Sequence, residues 1–142
     1  MRIEVHGDAS VTRRSCFILG LGLLLTSAVS RVTCADERAG REFFEAKIRP
    51  VLVKQCYSCH SADAAKAGKL KAGLQLDSRD GVLKGGESGA IVVSGKPAES
   101  LLIQSLRHVG DAPEMPPSEK LSESTIADFE EWIRIGLPDT RE

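Results

Sequence analysis

In the run KQCYSCHSADAA, two residues separate Cys56 from Cys59, and His60 follows directly. Three chemistries use such a triplet. Thiols at this spacing can reach the two vinyl groups on one edge of a porphyrin while the next imidazole falls under the iron, the C-x-x-C-H arrangement of covalently attached haem c. The same residues could be half of a zinc site or a redox dithiol.

The rest of the chain weighs these options. Zinc needs further soft donors, yet the other cysteines, Cys16 and Cys34, lie near the N-terminus, and His108 is the one histidine downstream of the motif. A thioredoxin-like dithiol follows a strand in a strand–helix alternation, a pattern this chain lacks. Haem iron with both axial positions filled needs a second ligand, a Met thioether or a His nitrogen, downstream and on a loop.

Met115 is the only methionine besides the initiator and sits in APEMPPSEK, stiffened by Pro113, Pro116 and Pro117. It has no apolar neighbours at helical or strand spacing with which to form core, so it is expected to be the distal ligand, with His60 proximal. His108, near a helix end, reads first as a partner of the helix dipole, then as a surface residue, and third as an alternative ligand. On that reading its removal leaves the ligand field unchanged.

Compartment bears on all of this, because cysteine chemistry depends on it. Arg13 and Arg14 precede an apolar run of 14 residues, from Cys16 to Val29, followed by small and polar residues. That is the layout of a secretory signal, and it is shorter than the roughly 20 residues a spanning helix needs. Thr33-Cys34-Ala35 suits cleavage, which divides the chain into a signal over 1–35 and a mature domain over 36–142 with no spanning helix. The paired arginines resemble a twin-arginine signal, with general secretion as the favoured route. RVTC is a poor lipoprotein signal.

From Asp36 onward the chain has 15 basic and 18 acidic residues, a net charge of −3 that argues against nucleic acid as a partner. Large side chains are scarce: Phe43, Phe44, Tyr57, Phe129 and Trp132 are the only aromatics there. A core of side chains alone would be thin, and a bound prosthetic group would supply the missing apolar surface.

Periodicity places the elements that must hold the site. Phe43, Phe44, Ile48, Val51 and Leu52 define one face of a helix leading into the cysteine motif, with a kink or interruption expected at Pro50. Seven of the 13 glycines fall between Gly68 and Gly95, where LQLD and AIVVSG flank SRDGVLKGGESG. This reads as a Gly-rich loop or small hairpin. GAIVVSGK is not a phosphate-binding loop, since its glycines are one residue too far apart and Pro97 replaces the Ser or Thr. A further helix starts at Pro97 or Ala98 and stops at Gly110, and a last one is capped by Ser122, buries Ile126, Phe129, Trp132 and Ile133, and ends at Gly136 and Pro138. The fold class is mostly α.

Taken together, IRPVLVKQCYSCH, GLQLDSRDGVLKGGESGAIVVSGKPAESLLIQSL, MPP and LSESTIADFEEWIRIGLP resemble the planctomycete-type cytochrome c domain of the cytochrome c superfamily, over roughly 42–138. The resemblance implies a small helical domain wrapped around covalent haem c, with Cys56 and Cys59 as thioether attachments, His60 and Met115 as iron ligands, and the first and last helices near the haem edge. Such modules usually stand at the N-terminus of a longer exported protein, so a stand-alone carrier or a piece lacking its partner domains is expected.

The function expected is electron transfer by an exported, periplasmic or extracytoplasmic carrier that is not itself an enzyme. Its partner would be a redox protein or a larger exported protein. The alternatives are a haem sensor or peroxidase-like module with an exchangeable sixth ligand, and an interaction module in which haem is structural.

Overall fold

A computed structural model describes residues 34–141. The signal expected over 1–35, with its paired arginines and Cys16, lies outside the described residues except that the first helix begins at Cys34. Among the described residues no helix is long and apolar enough to cross a membrane.

Helix α1 (Cys34–Phe43) runs into a π turn (Phe44–Ile48), a short helix α2 (Arg49–Val51) and a second π turn (Leu52–Cys56). Every junction residue keeps right-handed helical dihedrals. Pro50 explains the widening: it has no N–H to donate, and its ring crowds the carbonyl four residues back. The chain answers by opening to i→i+5 pairing on both sides, with Arg49 N–H reaching the Phe44 carbonyl and Tyr57 N–H reaching that of Leu52 at 3.0 Å. The interruption expected at Pro50 is thus a pair of π turns.

Those turns also align a stripe. Phe44, Ile48, Leu52 and Cys56 recur every fourth residue, and in a regular α-helix such a row drifts around the axis by about 40° per step. Wider turns take up the drift, so the first three are fully buried and the fourth carries the row to the cysteine motif. Phe43 and Val51 are only half-buried.

After the motif, α3 (Ala62–Lys66) is capped by Ser61, whose Oγ accepts the Ala64 N–H at 3.0 Å. The glycine-rich stretch then departs from expectation. It contains no strand among the described residues, and the small hairpin is reduced to one bridge between Gly86 and Gly89. Instead SRDGVLKGGESG houses α4 (Arg79–Lys84), capped by Ser78 accepting the Gly81 N–H at 3.0 Å. A Cβ at Gly81 would lie 2.5 Å from the Gln75 carbonyl oxygen. The glycine that disguises this helix is what lets it sit there.

Helix α5 (Leu101–Arg107) follows a 3₁₀ turn (Pro97–Glu99) and starts later than expected. The buried Ser100 hydroxyl, which could have capped it, instead accepts the Val93 N–H and donates to the Lys96 carbonyl, both at 2.9 Å. The helix stops at His108, not at Gly110. Helix α6 (Glu123–Arg134) matches its periodicity: Ser122 Oγ accepts the Thr125 N–H at 3.2 Å, and Ile126, Phe129, Trp132 and Ile133 are buried.

The aromatics concentrate where α6 meets the first π turn. Trp132 lies 5.7 Å from Phe44 and edge-on to Phe129 at 6.1 Å, geometries that favour ring pairs. Aliphatic side chains from the glycine-rich segment, α4, α5 and the end of the chain, among them Leu76, Val82, Ile91, Ile103 and Leu137, complete one contiguous cluster around them. The core is therefore less thin than the aromatic count suggests.

Candidate functional site

Beside this core lies a predominantly apolar cavity of about 490 Å³, bounded by the cysteine motif, parts of the glycine-rich segment, α5 and the proline-rich loop. Its volume falls within the roughly 300–1,000 Å³ of small-molecule and cofactor sites. Cys56, Cys59, His60 and Met115 all line it, and His108 does not. A larger open cleft of about 1,080 Å³ runs between α1 and residues 135–141, but it is lined by neither a cysteine nor a histidine. Size alone would point to the wrong place.

His60 is nearly buried, with Nδ1 3.3 Å from the Leu74 carbonyl oxygen. A carbonyl only accepts, so Nδ1 carries the hydrogen and Nε2 keeps its lone pair. This is how a ligating histidine is usually oriented. Main-chain bonds hold the acceptor in place: Leu76 N–H donates to the His60 carbonyl at 2.9 Å, and Lys71 N–H to that of Cys59 at 3.1 Å. Behind this segment, Glu87 N–H donates to the Ala72 carbonyl at 2.8 Å, which Gly86 permits by having no side chain to collide with it.

The N–H groups of Cys59 and His60 both turn back onto the Cys56 carbonyl, at 3.1 and 2.9 Å. Burial pushes the Cys56 thiol up to about 11. The attacking thiol of a redox dithiol needs the opposite shift, so the environment gives that chemistry no support. Nor, among the described residues, do three His, Cys, Asp or Glu side chains gather as they would around a zinc ion.

Met115 is half-buried, and α5 anchors its backbone: its N–H donates to the Ser105 carbonyl at 3.1 Å. A donor set of two thiols, one oriented imidazole and one thioether around an apolar cavity fits haem c in both kind and number.

Sequence reasoning passes over Arg141. Its guanidinium donates to Asp139 at 2.6 Å, to the Leu76 carbonyl at 2.6 Å and to the Tyr57 hydroxyl at 2.5 Å, and lies 4.7 Å from the centre of the Phe44 ring. No local pattern flags it, because its partners are up to 84 residues away.

The family model described as Planctomycete cytochrome C matches residues 56–119, a span that includes Cys56, Cys59, His60 and Met115. No curated protein and no solved structure matches the chain.

Proposed function

From the premise that the chain carries a planctomycete-type cytochrome c domain, we propose that it is an exported electron-transfer module holding covalent haem c. The observation that carries this reading is that Cys56, Cys59, His60 and Met115 line one apolar cavity. When bound, haem c supplies a one-electron ferric–ferrous couple.

In this reading Cys56 and Cys59 hold the group by thioethers, and His60 presents Nε2 because Leu74 takes its other nitrogen. Met115 would supply the second iron ligand from the cavity it lines, which would close the site to substrates and favour a carrier over a catalyst. The apolar lining would keep water from the bound group and so raise its reduction potential. Export follows from the N-terminal signal pattern, with general secretion favoured over the twin-arginine route.

The test is an absorption spectrum of the exported protein, oxidised and reduced, with a pyridine haemochrome assay for covalent haem c. The expected result is one haem per chain, lost when Cys56 and Cys59 are both replaced by serine. A haem-free product from cells with a working attachment system would overturn the proposal.

A further inference from the structure

Both polar groups of the Met115 backbone are taken up by the last turn of α5. Its N–H donates to the Ser105 carbonyl, and its carbonyl lies 3.2 Å from His108 Nε2. Since that oxygen only accepts, the imidazole is the donor. Through Leu101, Leu102, Ser105 and Leu106 the same helix lines the cavity that Met115 also lines.

His108 occupies an unusual place for this bond. It caps α5 in the left-handed region, φ 56° and ψ 52°, where glycine meets no steric penalty and a Cβ does. A side chain there needs compensation from its surroundings. The ring is largely buried, with one nitrogen on the Met115 carbonyl and the other 3.8 Å from the Glu114 carboxylate. The left-handed turn reverses the chain, so the side chain faces the loop that returns seven residues later.

We propose that His108 is a positioning residue for Met115: it clasps the methionine's carbonyl against α5 and so keeps the thioether at the cavity in competition with external ligands. This rests on the reading of Met115 as the distal ligand, and it reverses the expectation that replacing His108 leaves the ligand field unchanged.

The experiment uses ferric holoprotein with imidazole as the competing ligand, followed by loss of the sulfur-to-iron charge-transfer band. His108→Gly keeps the left-handed cap without the ring, and His108→Asn, which also tolerates that region, is too short to reach the carbonyl. Both should bind imidazole roughly three- to tenfold more tightly than the parent, the size of one lost hydrogen bond, with no fall in the unfolding midpoint for His108→Gly. In a Met115→Ala background the same substitutions should leave imidazole affinity unchanged, which separates an effect through Met115 from a general loosening. Unchanged affinity in both variants, with the band present in the parent, overturns the clasp and leaves the axial reading standing. Tighter binding that persists without Met115 also overturns it. A parent without the band overturns the axial reading and the clasp together.

Discussion

Arg141 donates a hydrogen bond to the hydroxyl of Tyr57, the residue immediately after Cys56 in the cysteine motif. The same guanidinium holds Leu76, two residues beyond the carbonyl that orients His60. A single side chain thus ties the cysteine motif to the segment that carries the cavity-lining Leu76, and its counter-ion Asp139 has an almost wholly buried side chain.

Replacing Arg141 by alanine would leave the Asp139 carboxylate buried without its partner. Breaking a buried pair from one side costs about 3–5 kcal/mol, whereas replacing both members by apolar residues costs far less. Denaturant titration should therefore find Arg141→Ala strongly destabilised and Arg141→Met with Asp139→Leu closer to the parent. Equal losses in the two variants would mean that the contacts to Tyr57 and Leu76, rather than the stranded charge, dominate.

Gly86 offers a steric test of the His60 support. A Cβ there would lie 2.5 Å from the Ala72 carbonyl oxygen and 3.1 Å from Leu74 Cβ, so the segment whose carbonyl takes the His60 hydrogen must shift. Gly86→Ala should cost about 1–3 kcal/mol, the range for overpacking, and change the NMR signals of the His60 ring. Gly68→Ala is the control: it has a positive φ of 69° but nothing within 4 Å, so it should cost backbone strain and leave His60 unmoved.

What can be read from the sequence follows from how far each signal reaches along the chain. The cysteine motif is written in five adjacent residues, and α6 in a helical period with Ser122 as its cap. Met115 stands out by elimination, as a lone thioether in a stiff loop. The short helices α3 and α4 escape because each has barely more than one turn and depends on a serine cap and on packing. Pro50 points to a break, and the widening to π turns becomes visible only once the stripe ending at Cys56 has to be buried. Arg141 and the His108 contact are tertiary facts with no local signature.

The Cys56 thiol gives a prediction with a definite sign. Its value is raised from the ordinary 9.0 to about 11 by burial, so the folded, haem-free chain holds the proton longer than the unfolded chain. Stability from this source is fully present below pH 9 and is lost as the pH rises towards 11. In a reduced, haem-free sample that circular dichroism reports as folded, alkylation of Cys56 by iodoacetamide near neutral pH should be about a hundredfold slower than in denaturant, because only the thiolate reacts. Faster alkylation in the folded chain would instead indicate the activated thiol of a dithiol enzyme.

Met115→Ala separates the carrier from its rivals most directly. The substitution removes the thioether but keeps the backbone N–H that donates to Ser105, so the loop retains that anchor on α5. If the thioether is the distal ligand, the holoprotein should lose its sulfur-to-iron charge-transfer band. Its reduction potential should fall by on the order of 0.1 V or more, a modest share of the range that axial ligands span. The opened position should also take up cyanide or imidazole, which the parent should resist. A parent that already binds these ligands readily would make the site exchangeable, as a sensor or peroxidase-like module requires. An unchanged band in Met115→Ala would mean that no methionine downstream of the initiator is the sulfur donor, since Met115 is the only other methionine in the chain.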